Sequence, residues 1–363
     1  MAERTTNPFD APVPGQSLTD TPRNYPWEHA PQFSTVEDAS MQIWEGLHSD
    51  AAMEKVIVLL EAGLTVEEIT KVIVFAGFVE GKFNPDVGLL LTPIVAKMIL
   101  AIGKKADIIL NFSYDWLPIW MTLNIDIPIA HIISMGSESF VISNLISKVY
   151  SKYPNNFAFH TKIQASDFSF IENPIVIGNG FKLDNYDFQD FKNGPLGWVG
   201  RIAPEKGLED AAYVANALGE KLNVWGIVQD ESYALKIEKM FSPGTLKWKG
   251  FLETKKLQKE LGTCRALLNT PKWNEAYGNV VVEALACGVP VLAYKRGGPS
   301  EIIEHGKTGY LVKPDDKESL LRYLKIINNI DRNNCRKWVE DNASSNIFAN
   351  KVVNWLSRII KES

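Results

Sequence analysis

The sequence predicts an α/β protein in which a leading helical unit precedes parallel sheets covered by helices. Two observations along the chain support this prediction. Up to about residue 104 the apolar residues recur at helical intervals, whereas from Ala106 onward short apolar runs alternate with helical patterns. Several of these runs are continuously apolar, as strands covered on both faces of a parallel sheet tend to be. This alternation is typical of doubly wound, Rossmann-like domains.

The composition limits the classes of function. A chain of 363 residues is long enough for two domains and a third small unit. Its formal net charge of −5 provides no general basic field for nucleic acid or for an anionic membrane, so neither partner is expected. The 3 cysteines lack CxxC spacing and the 5 histidines are scattered, so neither a disulfide framework nor a metal site is expected. The N-terminus has no apolar signal core, and a cytoplasmic protein is therefore expected.

The first 34 residues are rich in Pro, Thr and Asn, which predicts an extended or disordered arm. Residues 35–105 are predicted to form a small helical unit. Two of its helix starts, at Thr35 and Thr65, place a threonine three residues before an acid, which is the spacing of a capping box. The apolar stretch Val87–Gly103 is slightly short for a membrane span and contains a proline and a lysine. We therefore expect a buried or interfacial helix there and no membrane span.

Two α/β parts are expected after the helical unit. Residues 106–190 show about three strands, which corresponds to half of a Rossmann-like domain. Residues 191–363 show a complete Rossmann-like domain that ends in an amphipathic helix from Asn346 to Lys361. The polar stretch at residues 182–195 separates the two parts.

The segment GRIAPEKG follows the predicted strand Leu196–Val199 and opens a helix. It places two cations, Arg201 and Lys206, at a strand-to-helix turn, where backbone amides of the helix start also attract anions. This combination suits a diphosphate. A solvated basic turn would give the same pattern.

The segment WNEAYGNVVVEALACGVP follows a second strand and carries two acids eight residues apart. Glu275 lies in the loop at the carboxyl end of the strand, where ligands bind in open α/β sheets. Gly278 and Asn279 start the next helix and offer free amides to a phosphate. Glu283, further along this helix, could accept hydrogen bonds from both hydroxyls of a ribose. The alternative for Glu275 is an acid favoured by the dipole at a helix start, and the alternative for Glu283 is a surface ion pair.

These motifs occur in order over about 120 residues, from GRIAPEKG through KGFLETKKLQKEL to NEAYGNVVVEALACGVPVLAYKRGGPSEII. Together they resemble the retaining GT-B glycosyltransferases of family 4, whose E-x7-E element matches the spacing of Glu275 and Glu283. Over about residues 106–355 the chain also resembles cyanobacterial UDP-glucose:tetrahydrobiopterin glucosyltransferases, and this resemblance is closer than that to the family as a whole. The resemblance implies a GT-B-like fold and a UDP-sugar as donor substrate, without a metal or a bound cofactor.

The resemblance also implies roles for individual residues in diphosphate binding. Arg201 and Lys206 would hold the UDP diphosphate, and the amides of Gly278 and Asn279 would add to this contact. Two cations and a helix start can stabilise a departing UDP without a metal ion.

The remaining implied roles concern the sugar, the ribose and the base. Glu275 would face the hydroxyls of the donor sugar, Glu283 would bind the ribose, and Gly250–Phe251 would contact the uracil. The family has a histidine after a strand of its first domain, close to the transferred sugar. His131 is the candidate for it, with Ser134 as the alternative position.

The resemblance implies the retaining transfer of a hexosyl group, namely a glucosyl group, from a UDP-sugar to a small acceptor such as a reduced pterin. An alternative comes from the first 105 residues, which resemble virion structural proteins of tailed marine phages. No strand with a glycine-rich loop precedes Ala106. The two resemblances therefore imply a fusion of two segments joined near Gly103–Asp107, which is either a natural fusion or one produced in gene assembly. It would then be a phage structural or interaction protein that carries a truncated, inactive transferase and contacts a phage particle through residues 1–105.

Overall fold

The computed structural model describes residues 25–47, 49–102 and 107–362. The predicted arm up to residue 24 and most of the predicted junction at Gly103–Asp107 lie outside these residues. The described chain forms two compact units. The first contains the described residues up to Ile109 together with Leu117–Ile127, and the second contains Leu110–Trp116 and the chain from Pro128 onward. Leu117–Ile127 thus clusters with the helical unit, although the sequence predicted it as part of the first sheet domain.

The first unit is helical, as the apolar periodicity predicts. Its helices are α1 (Val36–Leu47), α2 (Asp50–Glu61), α3 (Val66–Val79), α4 (Pro85–Ile102) and α5 (Trp116–Met121), of which the last begins at the border with the second unit. The capping box at Thr65 is confirmed: its hydroxyl accepts the amide of Glu68 at 3.1 Å, and its own amide donates to the Glu68 carboxylate at 2.8 Å. Helices α3 and α4 pack around a core that includes Phe83, Leu91 and Ile99.

Residues 25–34, predicted as the end of the extended or disordered arm, pack on the helical unit. They contain a short 3-10 helix at Pro26–Glu28. The ring of Trp27 lies 6.4 Å from the ring of Phe78 on α3, and the amide of Phe33 donates to the Lys82 carbonyl at 2.7 Å. Composition reports no long-range contact, so these packing contacts could not be predicted from the sequence. None of the helices in the described residues is long and apolar enough to cross a membrane.

The second unit begins with a small sheet. Its strands, in the spatial order β1-β2-β3-β4, are β1 (Ile109–Asn111), β2 (Ile129–Ile133), β3 (Phe157–Phe159) and β4 (Ile175–Val176). Strands β2, β3 and β4 pair in parallel, and α6 (Phe140–Tyr150) and α7 (Lys162–Ser166) belong to the same region. The sequence predicted about three strands here. Strand β3 was missed because its apolar run is only three residues long, which is too short for periodicity to distinguish from a loop.

The larger sheet has six parallel strands in the order β10-β9-β8-β5-β6-β7. They are β5 (Leu196–Val199), β6 (Leu222–Trp225), β7 (Leu246–Gly250), β8 (Ala266–Asn269), β9 (Val291–Tyr294) and β10 (Gly309–Val312). The chain runs outward from β5 to β7 and then starts again at β8 in the opposite direction. The neighbours β5 and β8 therefore form the topological switch point, and a crevice opens at the carboxyl ends of the strands at such a point.

Helices cover both faces of the larger sheet, so its strands are mostly buried, with the exception of the edge strand β7. They are α8 (Leu208–Ala217), α9 (Glu231–Met240), α10 (Thr254–Gly262), α11 (Asn279–Ala286), α12 (Pro299–Ile302), α13 (Lys317–Leu324), α14 (Arg332–Asn342) and α15 (Ser345–Glu362). The strand at Leu196–Val199 and the terminal helix predicted from Asn346 to Lys361 are confirmed, the latter within one residue at each end.

Helix α15 returns to the small sheet. The indole of Trp355 donates to the carbonyl of Asn155 at 2.7 Å, and the amides of Phe181 and Ser345 bond to backbone carbonyls of Ala343 and Phe181 at 2.9 Å each. These bonds hold the two sheets of the second unit together on the side of the last helix.

Candidate functional site

A cavity of about 530 Å³ opens at the carboxyl ends of β5 and β8, at the switch point of the larger sheet. Its walls come from strand ends of both sheets in the second unit. The small sheet contributes Phe112, Ser134, His160 and Asn179, which follow β1, β2, β3 and β4 in turn. The larger sheet contributes, among others, Arg201, Lys206, Glu275, Gly278 and Asn279. The sequence named these last five as site residues, and the structure brings all five to one cavity.

The two cations after β5 differ in their surroundings. The Arg201 guanidinium donates to the Gln229 side chain at 2.5 Å and lies 3.2 Å from the Glu205 carboxylate. Half of its side chain is exposed, so this ion pair is weak and easily exchanged for another anion. The Lys206 ammonium is more enclosed and lies 2.5 Å from the Glu275 carboxylate. Arg201 can therefore swing toward a ligand, whereas Lys206 is held in place.

Glu275 accepts hydrogen bonds from two neighbouring side chains. Its Oε1 accepts from Lys206 Nζ and, at 3.3 Å, from the indole nitrogen of Trp273. The Lys206 ammonium also lies 4.7 Å from the centre of the Trp273 ring, which is a cation–π contact. The three side chains thus form one compact cluster in which a cation and a carboxylate face the same cavity.

The loop after β8 is connected to the loop after β5 by hydrogen bonds to backbone carbonyls. Thr270 donates its hydroxyl to the Gly207 carbonyl at 2.7 Å, and the amide of Lys272 donates to the Glu205 carbonyl at 2.8 Å. Gly207 has a φ of 64°, and a Cβ there would lie 2.0 Å from the Thr270 carbonyl oxygen, so only glycine permits this approach. The two loops that carry Lys206 and Glu275 are consequently fixed against each other.

A buried carboxylate strengthens the same connection. Asp210, in the first turn of α8, is almost fully buried. It accepts from the ammonium of Lys272 and, at 2.7 Å, from the hydroxyl of Tyr294. Lys272 also contacts Asp315 at 2.8 Å, and Arg296 contacts Asp315 at 2.9 Å. This network anchors the β8 loop to α8 and to the loop that follows β9.

Helix α11 presents its N-terminus to the cavity. It begins at Asn279, close to the predicted start at Gly278. Gly278 has a φ of 101°, and a Cβ there would lie 2.9 Å from the Pro299 ring, so a side chain is excluded at this turn. The first amides of a helix have no acceptor within the helix and attract anions. The side chain of Asn179 donates to that of Asn279 at 2.9 Å and closes this part of the wall.

Glu283 does not line the cavity. It lies one turn further along α11, where its Oε1 accepts the hydroxyl of Tyr186 at 3.1 Å. Burial raises the pKa of Glu283, and the hydrogen bond from Tyr186 opposes that rise. Its assignment to a ribose remains a prediction from the sequence.

Gly250 and Phe251 also lie outside the cavity lining. Gly250 ends β7, two strands away from β5, and its carbonyl accepts the amide of Gly226 at 3.0 Å. The ring of Phe251 is exposed. Their assignment to a uracil remains a prediction as well.

The structure places His131 inside the small sheet and not in the cavity lining. It lies in the middle of β2 with no exposed surface, its ring stacked on Phe157 at 4.9 Å and its Nδ1 3.1 Å from the Asn111 amide nitrogen. Burial lowers the pKa of His131 to about 3. A direct role for His131 at the sugar therefore has no support in its position. Ser134, the alternative position, does line the cavity.

A second histidine, His160, lines the cavity and was missed by the sequence reasoning. It follows β3, whose three residues give no recognisable strand signal. Its Nδ1 lies 2.7 Å from the Gly178 carbonyl, an acceptor, so Nδ1 carries the proton and donates. Burial lowers the pKa of His160, which keeps the ring uncharged at neutral pH with Nε2 free of a proton. Recognising β3 would have placed His160 at the same sheet edge as the other site residues.

Within the described residues, no group of three or more His, Cys, Asp or Glu side chains is arranged to hold a metal ion. The two cations, the helix start and the carboxylate of Glu275 are groups that the cavity offers to a ligand. Such a set suits a ligand that carries both a diphosphate and hydroxyl groups.

Comparison with known proteins shows what the part of the chain that carries the larger sheet is similar to. Residues 193–344 match the family model described as "Glycosyl transferases group 1". The probable sucrose-phosphate synthase of Thermosipho melanesiensis is 27% identical over 202 residues, which cover 52% of this chain and 48% of that protein. The sulfoquinovosyl transferase of Arabidopsis thaliana is 33% identical over 132 residues, which cover 36% and 25% of the two chains. The chain thus spans half or less of the length of these curated relatives.

Solved structures show the same fold. HepE from Anabaena, crystallised with UDP, is 18% identical and has a TM-score of 0.67 over 79% of this chain and 89% of its own. The same protein crystallised with UDP-glucose is 17% identical, with a TM-score of 0.64 over 79% and 88%. These likenesses and the two parallel sheets, of four and six strands, confirm the predicted GT-B-like α/β fold.

Proposed function

We propose that this chain, whose residues 193–344 match the model of group 1 glycosyl transferases, transfers a hexosyl group from a UDP-sugar to a small acceptor with retention of configuration. The observation that supports this function best is the convergence of two cations and a helix N-terminus at the switch point. Arg201 and Lys206 come from the β5 loop, and Gly278–Asn279 come from the β8 loop, yet all line one cavity. A diphosphate is the ligand that uses all of these groups together.

The charges of the site suit the departure of UDP. Breaking the bond between the anomeric carbon and UDP leaves negative charge on the terminal phosphate. Preorganised cations and helix amides stabilise such developing charge more in the transition state than in the bound substrate. Arg201, Lys206 and the start of α11 would supply that stabilisation. Glu275, which pairs with Lys206, would then turn its free oxygen to a hydroxyl of the donor sugar.

A glucosyl donor is supported by the fold shared with HepE, which was crystallised with UDP-glucose. The acceptor in this proposal is a reduced pterin, on the strength of the sequence resemblance. The alternative, in which residues 1–105 contact a phage particle and the transferase is inactive, remains a prediction from the sequence.

Isothermal titration calorimetry with UDP tests the donor site, and release of UDP from UDP-glucose in the presence of a reduced pterin tests transfer. We expect saturable UDP binding, acceptor-dependent UDP release and an α-glycoside by NMR. No heat of binding with UDP at millimolar concentration would contradict the donor site. UDP binding without turnover on any acceptor would favour the inactive alternative.

A further inference from the structure

The carboxylate of Glu301 bridges the two sheets of the second unit. Glu301 lies in α12, which follows β9 of the larger sheet, and its side chain is exposed. Its Oε2 accepts the amide of Lys162 at 3.1 Å, and its Oε1 accepts the amide of Ile163 at 2.6 Å. These two residues begin α7, which follows β3 of the small sheet. The first amides of a helix have no acceptor within the helix, so Glu301 supplies these acceptors from the other sheet.

Thr161, the residue before α7, adds another bond between the sheets. Its hydroxyl accepts the amide of Gln164 at 3.1 Å and donates to the carbonyl of Ala276 at 2.9 Å. Ala276 follows Glu275 in the loop after β8 and lines the cavity. Thr161 is almost fully buried, so water competes little for these bonds. The start of α7 is thus held to the larger sheet by both a side chain and a backbone carbonyl of that sheet.

The segment that carries Glu301 is itself fixed to the loop after β8. The amide of Gly298 donates to the Glu275 carbonyl at 2.6 Å. A Cβ on Gly297 would lie 2.4 Å from the Glu275 amide nitrogen, and a Cβ on Gly298 would lie 2.2 Å from the Tyr277 carbonyl oxygen. Only glycine permits this close approach of two backbones. A short series of backbone contacts therefore connects Glu275 with Glu301.

His160 lies at the other end of these contacts. It directly precedes Thr161 and lines the cavity. Its amide donates to the side-chain oxygen of Gln164 at 2.8 Å, and its ring lies 5.8 Å from the ring of Tyr277. A displacement of the start of α7 would therefore move His160 relative to Tyr277 and Glu275.

We propose that Glu301 is a positioning residue for the transfer reaction: its carboxylate fixes the start of α7, and with it His160, against the loop that carries Glu275. The inference rests on the proposed function for its effect on the rate. Glu301 does not line the cavity, and Arg201 and Lys206 reach the donor diphosphate without it. Loss of the carboxylate should therefore spare UDP binding and lower the rate, because transfer depends on close alignment of the groups around the reacting atoms.

Steady-state kinetics with UDP-glucose and a reduced pterin, together with calorimetry of UDP binding, test this division. We expect Glu301→Ala to lower kcat about ten-fold and to change UDP affinity by less than about two-fold. Glu301→Gln keeps one side-chain oxygen as an acceptor for one of the two amides, so its kcat should lie between those of Glu301→Ala and the wild type. Glu304→Ala removes a partly exposed acid just after α12 and is the matched control, which should keep the wild-type kcat.

Hydrogen exchange followed by mass spectrometry tests the contact itself without a substrate. The amides of Lys162 and Ile163 should exchange about ten-fold faster in Glu301→Ala than in the wild type, since their acceptor is removed, and at the wild-type rate in Glu304→Ala. Unchanged exchange in Glu301→Ala, an unchanged kcat, or a loss of UDP affinity as large as the loss of kcat would overturn the inference. A wild-type protein without turnover would contradict the proposed function, whereas the exchange rates would still decide whether Glu301 holds α7.

Discussion

Lys206 is the residue on which donor binding should depend most. Its ammonium is enclosed by Glu275 and Trp273, so it is already oriented toward the cavity. Lys206→Ala should weaken UDP binding by about 2 kcal/mol, the cost of one charge-assisted hydrogen bond to a phosphate, in titration calorimetry. Lys307→Ala, which removes an exposed lysine after α12, is the matched control and should bind UDP as the wild type does. If both variants lose the same UDP affinity, the loss would come from the change in net charge and not from a specific contact of Lys206.

His131 should affect stability through pH. Its pKa is lowered to about 3 in the folded protein because burial disfavours the charged ring, whereas the unfolded chain takes up a proton near pH 6.5. The unfolded state therefore binds more protons in this range, and stability is complete above pH 6.5 and falls as the pH drops toward 3. From pH 7 to pH 5 this one group should cost about 2 kcal/mol of unfolding free energy.

Urea unfolding of the wild type and His131→Gln at several pH values measures this contribution. Other groups, including His160, titrate as well, so the difference between the two proteins is the quantity to follow. The difference in unfolding free energy between the wild type and His131→Gln should narrow as the pH falls. A constant gap between pH 7 and pH 5 would show that His131 does not resist protonation.

At the level of elements, the β8 loop depends on its anchor to α8. Asp210 is buried and holds Lys272 and Tyr294, so its loss leaves a partly buried ammonium without its main partner. Asp210→Ala should lower the unfolding free energy by about 3 kcal/mol, since breaking a buried ion pair costs more than the pair contributes. Because the loop also carries Glu275, UDP binding should weaken too.

Chemical denaturation and calorimetry on the same samples test this coupling. Asp341→Ala, at an exposed position near the end of α14, is the control and should change neither quantity. Unchanged UDP affinity in a destabilised Asp210→Ala protein would mean that the loop keeps its conformation without the anchor.

Elements with strong local signals were predictable. Thr65 caps α3 as its spacing indicates, and β5 spans the predicted residues because a continuous apolar run is bounded by polar turns. Strand β3 was not predictable from its three residues, and with it the position of His160 was lost. The cavity wall includes loops that follow predicted strands and the loop that follows the missed strand, because it is built from loops after β1, β2 and β3 as well as after β5 and β8.

At the level of the second unit, helix α15 joins the end of the chain to the small sheet. Trp355 is buried, and its indole donates to the Asn155 carbonyl across 200 residues of sequence. Trp355→Ala should lower the unfolding free energy by about 3–5 kcal/mol through the cavity left behind. Val353→Ala, on the exposed face of the same helix, should cost less than about 0.5 kcal/mol.

Thermal and urea unfolding of both variants check this contrast. If Trp355→Ala is no less stable than Val353→Ala, then α15 does not hold the sheets together. A large loss of stability with normal UDP affinity in the folded fraction would separate the role of α15 from that of the donor cavity.

The sequence by itself determined the alternation of strands and helices around the larger sheet and the identity of four residues that line the cavity, because Arg201, Lys206, Glu275 and Asn279 lie within motifs short enough to recognise locally. Tertiary structure alone decided which groups meet. It placed His131 in the core and His160 in the cavity, and it turned Glu283 toward Tyr186. The physical reason is that side-chain burial and orientation depend on which strands become neighbours, and neighbouring strands in a parallel sheet are distant in sequence.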